Sequence, residues 1–437
     1  MSLLALTLLA GCNSYELFRV TGYEQASFSN DADILFIIDN SDSMQEEATA
    51  VASNFDRFIG KLTNTEVGSN VGTESLSDAV DNYIREASGG DLFIDYQLAI
   101  TTSSVYYDDG PTTGIDPGEA GTLAGDPPII GRTGGTGEDF QRNLLCSATC
   151  WDQNLPTNPD YECGDPLEGE VTEEYLSCLC GDVNWNGNCG AGQEQGIEAG
   201  FMTLCRAVEN PPAECYEFPD NAAVAFQEGN EGENAGLLRP DANTLVVIIT
   251  DEGDSSLRTE EGVAAVPGDV DTVVNAYDDL FQKFPNLVRF AVIGPSWDGA
   301  DGSCLDGAQQ WGVERYQGMA AVTNGLYIPL TDIENDCAAT DFGTSMERLG
   351  ELLSNLMTFF PLQSVPDVAS IEVYVDGEFI DRALPIEGTE PAEYGDGWSY
   401  DAAENAVAFH GAAIPDYNQD VKIFYRPLGG TPRELPF

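Results

Sequence analysis

The run Ala32-Asp33-Ile34-Leu35-Phe36-Ile37-Ile38-Asp39-Asn40-Ser41-Asp42-Ser43 constrains this chain more than any other stretch. An unbroken apolar block bounded by polar residues suits a central strand of a parallel sheet, covered on both faces. The block ends on Asp39, and two serines follow at once. In open α/β sheets the ligand crevice lies just outside the carboxyl ends of such strands. Asp39, Ser41 and Ser43 are therefore expected at that edge, and hard oxygen donors of this kind suit Mg2+ or Ca2+. A second apolar run, Thr244–Thr250, ends on Asp251. If the two strands are neighbours, both aspartates face one crevice. Two carboxylates and two hydroxyls without a basic residue in either motif are costly to bury unless a cation neutralises them.

The rest of the chain up to about residue 362 alternates in the same way. Val51, Phe55, Phe58, Ile59 and Leu62 recur at helical spacing, and a strand pattern follows over 92–102. Helices are expected at about 194–208, 269–284, 312–322 and 344–359, and strands at 287–293 and 326–330. The expected fold class is α/β: a Rossmann-like, mostly parallel sheet with helices on both faces. Residues 104–190 break the rhythm. They are rich in Gly, Pro, Asp, Asn and Cys and read as a disulfide-stapled insertion. From 366 to 437 the pattern changes to short alternating strands with a hairpin signal at Asp376-Gly377, which reads as a small β domain. The expected divisions are thus 1–12, a tether over 13–30, the α/β domain over 31–362 and the β domain over 366–437.

Composition narrows the partners. The chain carries 75 Asp+Glu against 17 Lys+Arg, a net charge of -58. Such a surface repels nucleic acid and anionic lipid and attracts cations. It also suits a protein kept soluble in a cation-rich medium. Residues 1–12 hold a short apolar core that ends Leu9-Ala10-Gly11-Cys12. This ending resembles the bacterial lipobox, which implies cleavage before Cys12 and a lipid on that cysteine, although no Lys or Arg precedes the apolar run. The expected location is the bacterial cell envelope, with the lipid as the only membrane contact. Cysteine usage agrees with export. Eleven cysteines less Cys12 leave an even set, which reads as disulfides. Zinc is the rival for Cys146/Cys150 and Cys178/Cys180, but the spacings are irregular and the single histidine, His410, is far away. Cys304 and Cys337 flank the strand at 326–330 and are placed to pair across it.

Taken together, Asp39, Ser41, Ser43 and Asp251 resemble the metal-ion-dependent adhesion site of the von Willebrand factor A domain family, over about residues 31–362. The resemblance implies that the serines touch the metal directly and the aspartates directly or through water. It also implies that a partner's carboxylate completes the coordination. That family places a threonine ahead of the helix that follows. Here Cys189-Gly190-Ala191-Gly192-Gln193-Glu194 stands in that place, and Gln193 or Glu194 offers the oxygen instead. A glutamate there adds negative charge, holding the metal more tightly and weakening its pull on an acidic ligand. Thr136 is a second candidate for the missing threonine.

Asp182-Val183-Asn184-Trp185-Asn186-Gly187 opens like a calcium loop, but the twelve-residue spacing lands on Gln193, so an Asn-Gly turn fits better. Glu252 and Asp254 could hold a second cation, although solvated loop acids explain them more simply. Enzyme readings fare badly. One histidine, in the β domain, argues against a Ser-His-Asp arrangement at the crevice, no phosphate-cradling G-x-x-x-x-G-K-[ST] loop is present, and a hydrolase with carboxylate–metal chemistry is the weakest reading. The expectation is an adhesion lipoprotein that is not an enzyme and that meets a protein or other acidic partner through Mg2+ or Ca2+. The alternative is a structural envelope lipoprotein with a degenerate site.

Overall fold

A computed structural model describes residues 24–28, 31–41, 44, 95–105, 107–108, 115–116, 120–131, 136–149, 173–180, 194–217, 226–240, 242–260, 264–284, 286, 288–295, 310–323, 325–330, 349, 359–362, 364–385, 394–402, 405–413, 415 and 421–428. The chain divides into two units. One is Asn30–Thr358, and the other joins Met1–Ser29 to Phe359–Phe437.

Strand β1 (Glu24–Phe28) belongs to the second unit. The first unit opens with β2 (Asp31–Ile38) and β3 (Asp95–Thr102). Next come β4 (Tyr107–Asp108) and β5 (Ile115–Asp116), which pair only with each other, and then β6 (Ile129–Gly131). The unit closes its sheet with β7 (Asn243–Ile249), β8 (Val288–Pro295) and β9 (Leu326–Leu330). The sheet order is β6-β3-β2-β7-β8-β9, parallel throughout except for β6. From β2 the chain therefore winds one way through β3 and β6, then returns to build β7, β8 and β9 on the other side. The order reverses between β2 and β7, and such a switch point opens a crevice beyond the strand ends.

Alternate residues of each central strand feed two separate cores. Ile34, Phe36, Ile38, Val247 and Ile249 pack with Phe140 and Leu144 of α1 (Thr136–Ser147). Leu35, Ile37, Val246 and Ile248 pack on the opposite face. There they meet α3 (Gly196–Ala207), α4 (Asp271–Phe281) and α5 (Gln310–Val322), which follow α2 (Glu173–Cys180) in the chain. Each such Ile or Leu, fully buried, contributes about 1.5–3 kcal/mol. The mostly parallel sheet with helices on both faces is the predicted architecture.

Three of the four cysteines that the zinc alternative would have used form bridges instead, and the fourth, Cys150, lies outside the described residues. Cys146 of α1 pairs with Cys180 of α2, and Cys205 of α3 pairs with Cys215. Cys178 is disulfide-bonded as well.

Several boundaries differ from the sequence reading. Part of the presumed insertion belongs to the main fold, because Ile129–Gly131 is an edge strand and α1 covers a sheet face. A three-residue strand that follows Pro128 and ends on Gly131 is too short to show a period. Residues 24–28 are not tether. They pair with β15 (Val421–Tyr425) as an antiparallel strand. Phe359 does not end a helix but begins the strand β10 (Phe359–Pro361). Cys12, Ser43, Gln193, Cys304, Cys337, the apolar face at 51–62 and the calcium-like loop at 182–187 lie outside the described residues.

In the second unit, β11 (Glu372–Val375) and β12 (Glu378–Ile380) form the hairpin predicted at Asp376-Gly377. Both turn residues have positive φ, 50° and 79°, as a two-residue hairpin turn of this hand requires. The strands β13 (Gly397–Asp401) and β14 (Ala406–His410) complete two antiparallel sheets, β1-β15-β11-β12 and β10-β14-β13. Val373, Trp398, Val407, Phe409 and Ile423 share one core.

Candidate metal centre

Three neighbouring strands end together at the switch point, and their registers decide which side chains meet. Ile38 stands opposite Thr102 of β3 and Ile249 of β7. The residues just beyond are therefore Asp39, Ser103 and Thr250. Backbone hydrogen bonds continue the pairing past the strands. Asp39 N donates to Ile249 O at 3.0 Å, and Ser103 N donates to Ile38 O at 3.0 Å.

The Asp39 side chain is held from two sides. The Thr250 hydroxyl donates to Oδ2 at 2.5 Å, and the Ser41 backbone N–H donates to Oδ1 at 2.9 Å. The second bond is the local turn that a D-x-S sequence favours. Asn40 is tied to the next loop, because the Ser104 hydroxyl donates to its Oδ1 at 2.8 Å.

Glu194 completes the group from the residue pair preceding α3. Its backbone is pinned on both sides. Ser255 N donates to Glu194 O at 2.7 Å, and the adjacent Gln195 N donates to Ser103 O at 3.0 Å. This placement turns its carboxyl toward Asp39, where the Ser103 hydroxyl donates to Oε2. The other oxygen, Oε1, is buried without a hydrogen-bond partner.

Asp39 and Glu194 are both 0% exposed, and Ser41 and Asp251 are buried too. Burial raises Asp39 above the ordinary carboxylate range, against the pull of Thr250 and Ser41. Glu194 is pushed well above its range, first by burial and then by the charge of Asp39, with the Ser103 hydroxyl opposing. Among the described residues neither carboxyl has an ion-pair partner. Asp39 thus raises Glu194, while the hydrogen bond between the two carboxyls lowers Asp39, and such a pair holds a shared proton or a cation. The donors are all oxygens, and an unmatched buried carboxylate oxygen stands among them. This chemistry fits a hard divalent ion such as Mg2+ or Ca2+.

The predicted set is thus brought together in part. Asp39, Ser41 and Glu194 share the crevice. Asp251 is carried one residue beyond Thr250, and Thr250 takes the place beside Asp39. Among the described residues, no three His, Cys, Asp or Glu side chains gather closely enough to hold a metal by themselves. Hydroxyls complete the group instead. Thr136 opens α1, which packs on the sheet face opposite α3. Sequence reasoning missed Ser103 and Thr250, although the hydroxyl run Thr101-Thr102-Ser103-Ser104 at the end of β3 was a usable signal.

A second buried network braces this edge. Asp254 is not a solvated loop acid. It is wholly buried, with Oδ1 accepting from the Ser256 hydroxyl at 2.7 Å and from Ile197 N at 3.3 Å. It thereby caps the first turn of α3 from another segment. Arg315 of α5 lies 3.8 Å from its carboxylate and donates to Ser256 O at 3.0 Å. Beside it, Arg258 grips Glu198 of α3 with bonds of 2.8 and 2.9 Å, and the Tyr277 hydroxyl donates to the same carboxylate. The loop from Thr250 to Thr259 is therefore locked to α3 and α5, which fixes where Glu194 stands.

No protein-family model and no curated protein sequence matches this chain. Among solved structures it is similar to the pilus adhesin SpaC from Lactobacillus rhamnosus GG. The match is 13% identical, covers 94% of this chain and 41% of that one, and has a TM-score of 0.31. It is also similar to a von Willebrand factor type A structure from Catenulispora acidiphila, at 10% identity, 94% and 62% coverage and a TM-score of 0.29. The pilus adhesin RrgA from Streptococcus pneumoniae matches at 9% identity, 94% and 60% coverage and a TM-score of 0.29. This chain spans 41% to 62% of the length of these three.

Proposed function

We propose that the Asn30–Thr358 unit is a cation-dependent binding module of the von Willebrand A kind, in an adhesion protein of the bacterial cell envelope. Asp39, Ser41, Ser43 and Glu194 would hold Mg2+ or Ca2+, with Asp251 acting through water. The ion would supply the positive charge that meets an oxygen of a protein partner. A lipid on Cys12 would hold the chain at the membrane. No helix among the described residues is long and apolar enough to cross one. The disulfides of the first unit suit an oxidising compartment.

The observation that carries this reading is the buried pair Asp39 and Glu194 at the sheet's switch point, ringed by oxygen donors and lacking a basic partner among the described residues. Such a pair is stable when a cation offsets its charge. The chain's own residues do the rest. Thr250 and Ser103 orient the carboxyls, and the backbone around Asp39 and Gln195 keeps the three loops in register.

The test is a titration of Mg2+ and Ca2+ followed by thermal melting and calorimetry. An ion that binds only the folded protein raises the melting point, by about 2.7 kcal/mol of stability at a hundredfold excess over its dissociation constant. The acidic surface binds ions loosely, so the decisive comparison is Asp39→Ala. A saturable response in the natural chain that disappears in this variant supports the reading. An equal response in both overturns it and favours a structural envelope protein with a degenerate site.

A further inference from the structure

We propose that Glu194 is an internal competitor for the partner: its carboxylate occupies the coordination position that an external carboxylate would need, so the described conformation is a self-liganded, closed state. This rests on the cation reading of the same crevice given above.

Three observations carry it. The first is burial. Asp39, Ser103, Glu194 and Thr250 are wholly buried, and Ser41 and Asp251 nearly so, so the chain itself covers the oxygens that would face an ion. The second is the orphan oxygen. Ser103 satisfies Oε2 of Glu194, while Oε1 meets no hydroxyl or N–H and the carboxyl faces that of Asp39, so without a shared proton or an ion the pair carries a substantial desolvation cost. An ion bound beside Asp39 would remove that cost. The third is charge. Asp39 and Glu194 together carry two negative charges when ionised, which balance a divalent ion. A partner's carboxylate would bring a third into a buried site, within a chain whose net charge is already -58. Each added like charge in such surroundings is strongly unfavourable.

Glu194 is held by its backbone, but its side chain is not tied into a helix. It precedes the first turn of α3, which begins at Gly196, and it is not part of the helix. The hydroxyl of Tyr316 lies over Gly196, where a Cβ would come within 2.6 Å of it. An acidic ligand would therefore have to displace Glu194, and a ligand that cannot do so would be refused.

Mn2+ is a suitable probe, because it takes the same carboxylate and hydroxyl donors and reports coordinated water through the relaxation rate of solvent protons. The full chain is loaded with Mn2+, with Asp39→Asn as the reference for ions held by the acidic surface. Acetate is then added, followed by a short aspartate-containing peptide. In the natural chain the ion at this site is expected to show no exchangeable water and no response to millimolar acetate. Glu194→Gln and Glu194→Thr are expected to bind Mn2+ more weakly and to gain exchangeable water. In both variants acetate and the peptide should displace that water at concentrations lower by about tenfold or more, the scale of removing one pre-positioned competitor. Exchangeable water and an acetate response already present in the natural chain would overturn the proposal without needing either variant. So would folded variants that lose the ion altogether, since Glu194 would then be an obligatory ligand. If Asp39→Asn binds Mn2+ as the natural chain does, the cation reading itself fails, and that result is distinct from the others.

Discussion

At the scale of single residues, the two buried acids Asp254 and Asp33 make a pH signature. Burial pushes Asp254 up to about 6, against Arg315 and its three hydrogen-bond donors. Asp33, gripped by Arg239 at 2.7 and 2.8 Å, is raised to about 6 for the same reason. An acid whose pKa is higher folded than unfolded holds more protons in the native state. Its contribution is therefore largest below the ordinary range, near pH 4, and is lost as pH rises to about 6. The urea midpoint of the first unit is expected to fall across that window. Repulsion among 75 acids acts in the same direction, so the informative measurement is the difference between the natural chain and Asp254→Asn. The variant should lose a slope worth up to about 3 kcal/mol over the window. An unchanged slope would mean that Arg315 keeps Asp254 charged throughout.

At the scale of elements, the crevice depends on how closely α5 approaches the loop after β7. A Cβ at Gly312 would stand 2.8 Å from Asp254 N and Gly253 C, which are backbone atoms that cannot swing aside. Gly312→Ala should therefore push the loop from Thr250 to Thr259 outward, at a cost of about 1–3 kcal/mol. The cation-dependent rise in melting point should shrink with it. Gly131→Ala on the edge strand β6 is the control, because no atom of the described residues lies within 4 Å of a Cβ there. It should change stability by no more than about 0.5 kcal/mol. The elements most legible in the sequence were the ones with strong local signals. The apolar blocks of β2 and β7 and the Asp-Gly hairpin of β11 and β12 needed no partner to be recognised. Strand β6 and strand β1 were missed because each is identified by the strand it pairs with. Ile129–Gly131 shows no period, and Glu24–Phe28 looks like a polar leader until Val421–Tyr425 lies beside it.

At the scale of the whole molecule, the second unit is assembled from both ends of the chain. β1 pairs with β15 over five residues, from Glu24↔Tyr425 to Phe28↔Val421, and the first unit lies between them in sequence. Removing residues 1–28 would leave one side of β15 without its hydrogen-bonding partner, and an open edge is a liability. Calorimetry of that truncated chain should show the transition of the second unit shifted down, while the transition of the Asn30–Thr358 unit keeps its midpoint. Equal shifts in both transitions would mean that β1 supports the first unit as well.

The sequence by itself determined that an apolar strand would end on Asp39 with serines after it, and that oxygen-bearing side chains would dominate the crevice beyond it. Those facts are local, set by side-chain type and by the two-residue period of a strand. The tertiary structure decided which of those oxygens face one another. The bond between Thr250 and Asp39 joins residues 211 apart in sequence, and that between Ser103 and Glu194 joins residues 91 apart. In a parallel sheet the register comes from strand pairing, and a shift of one residue exchanges the side chains at the strand end. That single step sets Thr250 rather than Asp251 beside Asp39. The pinning of Glu194 by Ser255, and of Gln195 by Ser103, then turns a residue that was one of three candidates for a missing threonine into the second carboxylate of a buried pair.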